Sequence, residues 1–485
     1  MPKNDDFRLD LPPIPPPWKK KPGDKVYRVP RTRPWRIPLP MVRRPRSHGE
    51  STIILVYGFA ALIILGTILL MLPISSNSGE FTSPVNAIFT ATSAVCVTGL
   101  VVVDTADYWN GFGQIVILVL IQLGGLGFMT SATIFFLMFG RRIGLKERRL
   151  IGRSLGLERM GGLVKLVKRI VIFTVIIEII GAAIFYIRFS MEGPTEAALW
   201  KSVFQSVSAF NNAGFDIFGS FRSMLDYQSD TLVVLTTGVL VILGGISFVV
   251  VADVGAVRRF ARLALDSKIV IVTTAALLML GMGVFLLTEY SNPDTLGPLS
   301  VPYKFLNALF HSITPRTAGF STINVGSMAD YSLFFAILLM FVGGAAGSTA
   351  GGIKVNTFGM LIATMWSSLK GKENAGAFGR EFTSQQIHRA LALVMLALGL
   401  ITVVVFVLTV TEEFKFLSIL FETFSAFGTV GLSTGITPDL SIAGKLIITA
   451  TMFIGRLGPL ILALSLIQRQ LPSKYRYPQD EVRIG

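Results

Sequence analysis

Val97-Thr98-Gly99-Leu100, Asn212-Ala213-Gly214-Phe215, Thr317-Ala318-Gly319-Phe320 and Thr429-Val430-Gly431-Leu432 are four versions of one short phrase. Their glycines lie 115, 105 and 112 residues apart. Each phrase is preceded by Phe-x-x-x-Ser/Thr: Phe89 and Ser93, Phe204 and Ser208, Phe310 and Thr314, Phe421 and Ser425. From the Ser/Thr to the glycine is six residues in three copies and five in the third. Every copy stands between long apolar runs. A unit repeated four times in a membrane protein points to four quasi-equivalent walls around one axis. An axis lined by glycine turns points to an ion pathway.

The composition agrees with a membrane setting. The chain has 485 residues, of which 52% are apolar and 15% charged, with a mean hydropathy of +0.63; soluble domains carry about 25% charge. The net charge of +15 raises the question of nucleic acid, but its distribution answers it. Residues 1–50 hold thirteen Lys/Arg against five acids, and residues 141–169 hold ten against two. Both flank apolar spans, so the positive-inside rule accounts for the excess and no nucleic-acid partner is expected. The single cysteine, Cys96, excludes an intrachain disulfide and reads as a small buried side chain.

About twenty apolar residues cross a bilayer as helix. Eight runs qualify, near 52–73, 113–139, 168–188, 231–252, 268–288, 332–366 with an interruption, 388–411 and 445–468. The stretches near 83–97, 198–212, 303–316 and 416–428 are too short to span and read as re-entrant half-helices. The predicted fold is an all-α membrane protein with eight transmembrane helices and four half-helices around a pseudo-fourfold pore. Its parts are a basic, Pro-rich tail at 1–50 and repeats at 51–140, 141–255, 256–370 and 371–485. Basic clusters follow the second helix of each repeat, which predicts cytoplasmic termini and glycine turns that open outward. The tail also offers basic residues to anionic membrane lipids.

A cation leaves its hydration shell only where other oxygens replace it. Backbone carbonyls aimed at one axis serve, and glycine reaches the positive φ this requires at no steric cost. The predicted filter is Val97, Thr98, Gly99, Asn212, Ala213, Gly214, Thr317, Ala318, Gly319, Thr429, Val430 and Gly431. Such coordination suits a large, weakly hydrated ion such as potassium. One glycine per segment, followed two residues on by the unlike Val101, Asp216, Ser321 and Ser433, predicts looser discrimination against sodium than a two-glycine filter gives.

The second helices carry glycines at matching depth: Gly124-Gly125, Gly244-Gly245, Gly343-Gly344 and Gly455-Arg456, at 25, 30, 24 and 24 residues beyond the filter glycines. An arginine at that depth is costly unless it meets water or a partner, so Arg456 is expected to face the axis and to impose an electrostatic barrier, the alternative being a buried structural arginine bonded to helix carbonyls. The third repeat is broken by Gly343-Gly344-Ala345-Ala346-Gly347-Ser348-Thr349-Ala350-Gly351-Gly352, with Lys354 following. Five glycines in ten residues do not sustain a helix. The expectation is a flexible loop hanging below the filter, held partly by Arg456 and acting as a gate.

These motifs over residues 51–485 resemble the Trk/Ktr/HKT superfamily of potassium transporters, most closely the bacterial Ktr membrane subunit. The resemblance implies a potassium-uptake, channel-like transporter of the plasma membrane, multi-pass and homodimeric, with one pore per protomer. It implies a cytosolic RCK-type ring of nucleotide-binding regulatory subunits. The chain itself has no phosphate-binding loop or dinucleotide fingerprint, so nucleotide control falls to that partner. No covalent cofactor is expected; potassium is the substrate ion and sodium a candidate activator. An alternative is a Na+- or H+-coupled potassium symporter. Glu178, the one carboxylate inside an apolar span, reads rather as a polar contact between helices. Three scattered histidines (His48, His311, His388) and one cysteine offer no enzyme constellation. The subunit of an ATP-driven pump fits the repeat spacing less well.

Overall fold

The computed structural model describes residues 48–127, 163–372 and 374–458. The basic tail, most of the 141–169 cluster and the C-terminal basic segment lie outside the described residues.

Four half-helices organise the rest: α2 (Pro84–Cys96), α5 (Thr195–Phe210), α9 (Val301–Ile313) and α13 (Phe416–Gly428). Each follows a long helix, namely α1 (His48–Met71), α4 (Leu163–Phe189), α8 (Leu265–Glu289) and α12 (Ser384–Thr411). Each precedes an inner helix: α3 (Gly111–Gly125), α6 (Thr231–Gly245), α10 (Asp330–Phe341) and α14 (Ile442–Leu457). Local chemistry sets the starts. Pro84 opens α2 where a missing N–H costs nothing. Asn110, Asp230 and Ser441 cap α3, α6 and α14 with side-chain acceptors.

Each half-helix packs on its own long helix and on the inner helix of the preceding unit. α5 meets α3, α9 meets α6, α13 meets α10, and α2 closes the ring on α14. Phe89, Phe204, Phe310 and Phe421 are buried completely in this ring, which explains the phenylalanine of the repeated phrase. The segments Val167–Phe189, Leu265–Glu289 and Ser384–Thr411 are long and apolar enough to span a membrane, yet only 28%, 28% and 22% of their apolar windows are buried. Apolar helices that leave most of their side chains outside belong in lipid.

Two inner helices depart from straight spans. The run near 231–252 bends by 93° between α6 and α7 (Phe248–Val257), where Ser247 caps the second piece. α6 packs closely just before the bend: a Cβ on Gly244 would stand 1.8 Å from the Phe210 carbonyl oxygen. The run near 332–366 is broken between α10 and α11 (Val355–Leu369).

Candidate functional site

Each half-helix ends by turning left-handed. Val97, Asn212, Thr317 and Thr429 have φ of 57°, 59°, 77° and 50°, and Gly99, Gly214, Gly319 and Gly431 have φ of 89°, 71°, 80° and 93°. Sequence reasoning asks for positive φ only at the glycines. Three of the other four residues are β-branched, for which this region is a costly outlier held by its surroundings. The hold is visible. The amides of Thr98, Ala213 and Val430 donate to the carbonyls of Ser93, Ser208 and Ser425 at 2.8 Å, and Ala318 donates to Thr314 at 2.9 Å.

The Ser/Thr side chains complete the turn, a role the repeated phrase signals without revealing. Ser93 and Ser425 accept from the amides of Gly99 and Gly431 at 3.1 Å. In the middle two repeats the hydroxyl donates onward instead, Ser208 to the Phe215 carbonyl and Thr314 to the Phe320 carbonyl.

The four glycines then meet in cyclic order. A Cβ on Gly99 would stand 2.5 Å from Ala213 O, one on Gly214 2.9 Å from Ala318 O, one on Gly319 2.6 Å from Val430 O and one on Gly431 2.2 Å from Thr98 O. No side chain fits at any of them. On one side they line a cavity of about 590 Å³ that also reaches Asp104, Asp216, Ser321 and Ser433. Asp104 and Asp107 accept from the amides of Phe221 and Ser220, which fastens a strained 219–223 turn beside this cavity. Burial, with Asp104 adding its like charge, pushes the Asp216 carboxyl up to about 6.

On the other side lies the 343–352 segment. It does not hang free. Gly343 N donates to Ile353 O at 2.8 Å, Ala345 N to Gly245 O at 2.9 Å, and Val355 N to Gly344 O at 3.0 Å. Thr349 donates its amide and hydroxyl to Gly244 O at 3.3 and 3.0 Å. Polar partners on α6 and within the loop replace the helix hydrogen bonds that the glycines forfeit. The loop touches the first residue of three of the four glycine segments: a Cβ on Gly343 would meet Thr317, one on Gly351 would meet Thr429, and Thr349 stands 3.4 Å from the Asn212 side chain.

Arg456 reaches it from α14, donating to the carbonyls of Thr349 and Gly124. The neighbouring Gly455 lets α14 lie close to the end of α13, since a Cβ there would stand 2.0 Å from the Phe427 carbonyl oxygen. Among the described residues Arg456 has no carboxylate partner. Lys354 Nζ donates to Ala350 O at 2.6 Å within the loop. Two cations thus lie beneath the glycine ring. Glu178 takes no part: Asn211 and Gln122 donate to it at 3.0 and 3.3 Å, a contact between helices, as expected. Cys96 is wholly buried.

The profile of the TrkH family, described as a cation transport protein, matches residues 41–475. The chain belongs to the TrkH family of cation transporters. It is 44% identical over 432 residues to the Ktr system potassium uptake protein B of Bacillus subtilis, covering 89% of this chain and 96% of that protein. It is 41% identical over 451 residues to the potassium/sodium uptake protein NtpJ of Enterococcus hirae, covering 92% and 99%. The crystal structure of the potassium transporter TrkH from Vibrio parahaemolyticus shares the fold, with a TM-score of 0.69 at 19% identity over 88% of this chain and 86% of that one. The family implied by the glycine phrases, the third-repeat break and Arg456 is therefore the family of this membrane-embedded chain.

Proposed function

We propose that this TrkH-family chain is a potassium-uptake, channel-like transporter subunit of the plasma membrane. It passes potassium down the electrochemical gradient through a carbonyl-lined filter. The observation that carries this reading is the cyclic contact of Gly99, Gly214, Gly319 and Gly431, each against the carbonyl of the residue before the next glycine. Four oxygens so placed replace part of a hydration shell without any side-chain charge. The half-helices add the negative ends of their dipoles. The names of the relatives, potassium uptake in one and potassium/sodium uptake in the other, support the ion class.

Beneath the filter, Arg456, Lys354 and the 343–352 loop form the gate. The loop fills the space under three filter segments, and the arginine places a fixed positive charge there. A homodimer with a cytosolic RCK-type nucleotide-binding ring completes the transporter, and membrane lipids contact the basic loops. Sodium coupling or activation is the second reading, favoured by the sodium in the name of the Enterococcus relative.

The test is potassium uptake in cells lacking their own uptake systems, with the regulatory subunit co-expressed and external sodium varied. Growth rescue at low potassium is the expected result. No rescue with protein present in the membrane removes potassium as the substrate. Rescue only with sodium present selects the coupled reading.

Uptake should also follow external pH. Asp216 is ionised above about 6 and neutral below it, so acidifying the outside removes a negative charge from the mouth and lowers local cation concentration. Uptake at sub-saturating potassium is expected to fall by about twofold between neutral pH and pH 5. Asp216→Asn should be slower at neutral pH and flatter across that range. A variant with the wild-type profile assigns the pH dependence to another group.

A further inference from the structure

The residue directly after each repeated phenylalanine is polar and buried: Thr90, Gln205, His311 and Glu422, each at most 2% exposed. These four positions are equivalent on the four half-helices, behind the filter. Thr90 Oγ1 has no hydrogen-bond partner among the described residues, and Gln205 reaches only the Met224 sulfur at 3.5 Å. The third and fourth repeats differ. His311 Nε2 stands 3.5 Å from Ser321 Oγ, two residues past Gly319. Glu422 accepts from the Thr437 hydroxyl, which in turn lies 2.9 Å from Ser433 Oγ, two residues past Gly431.

Burying a carboxylate is expensive, and its second oxygen, Oε2, has no hydrogen-bond partner among the described residues. The fold does not require an acid there, because Thr90 and Gln205 occupy the same place. What sets Glu422 apart is its reach. Ser433 and Thr437 both line the outer cavity, at the end of the fourth filter segment.

We propose that Glu422 is a positioning residue for ion selection, fixing the outer end of the fourth filter segment through Thr437 and Ser433. It touches no permeating ion. Its carboxylate gives Thr437 a fixed acceptor and so restrains the turn after Gly431, on which the spacing of the carbonyl ring depends. The proposal rests on the reading of the glycine ring as a filter.

The test compares potassium and sodium uptake by the full-length chain, with its regulatory subunit, in cells lacking other uptake systems. Membrane abundance is normalised by immunoblot. Thr437→Val, close to isosteric, and Glu422→Leu are each expected to lower the potassium-to-sodium ratio by about fivefold, the scale of one lost hydrogen bond. The double variant should lower it no further than either alone, since both cut one link. Thr437→Ser, which keeps the hydroxyl, should restore the ratio. A wild-type ratio in Thr437→Val overturns the proposal, and so does a loss in Glu422→Leu that Thr437→Val does not share, which would make the carboxylate a source of field. Gly431→Ala separates the two levels of the argument. If it leaves the ratio unchanged, the filter reading fails and takes this proposal with it. If it shifts the ratio while Thr437→Val does not, only the positioning role fails.

Discussion

Replacing Arg456 with alanine is expected to raise the potassium uptake rate by tenfold or more. The guanidinium donates to the carbonyls of Thr349 and Gly124 beneath the glycine ring and has no carboxylate partner among the described residues. A unit charge about 8 Å from a passing cation, at an effective dielectric near 20, opposes it by about 2 kcal/mol. Each 1.36 kcal/mol is a tenfold change in rate, so removal of the charge alone reaches that scale. The same substitution frees the Thr349 carbonyl, which loosens the loop and acts in the same direction. Initial uptake rates normalised to membrane abundance are the measurement. Deleting Ala345–Ala350 should raise uptake as well; if it does not, the loop is no obstruction. A fall in uptake for Arg456→Ala with normal abundance would make the arginine a support and not a barrier.

The opposite extreme is Gly431→Ala. Its Cβ would stand 2.2 Å from Thr98 O and 3.1 Å from the Cα atoms of Gly319 and Gly99, at a φ of +93°. Strain from that conformation alone is about 1–2 kcal/mol. The clash is with backbone, so relief requires the neighbouring segments to move apart. Potassium uptake is expected to drop at least about tenfold, by the same conversion of barrier height to rate. The protein should still reach the membrane, because the cavity beside the ring gives the displaced segments room. Wild-type uptake in this variant would contradict a close-packed carbonyl ring.

The half-helices were legible because two signals coincide there. Length rules out a span, and Phe-x-x-x-Ser/Thr before a glycine recurs in four places. The expected stretch near 83–97 becomes Pro84–Cys96, and that near 416–428 becomes Phe416–Gly428. Register places Arg456 at the depth of Gly125 and Gly344, but its contact with the loop was not legible, because the Thr349 carbonyl it meets lies 107 residues away. The left-handed φ of Val97, Thr317 and Thr429 was not legible either. Propensity argues against it, and only long-range packing imposes it. Nor was the fastening of the 343–352 loop legible. Glycine content announces a break in a helix, but the acceptors that hold the loop are carbonyls of Gly244 and Gly245, about a hundred residues away. Gln122 and Asn211 were missed as partners of Glu178 for the same reason: nothing local to either pairs them.

The 93° elbow after α6 has a mechanical corollary. A continuing helix would satisfy the carbonyls of Gly244 and Gly245 with the amides of Phe248 and Val249. The elbow withdraws those amides, and the broken stretch of the third repeat supplies Thr349 and Ala345 in their place. Two imperfections in neighbouring walls therefore complete each other. A straight helix there would take back the acceptors of the broken stretch, so the angle of the elbow and the seating of the loop beneath the glycine ring are set together.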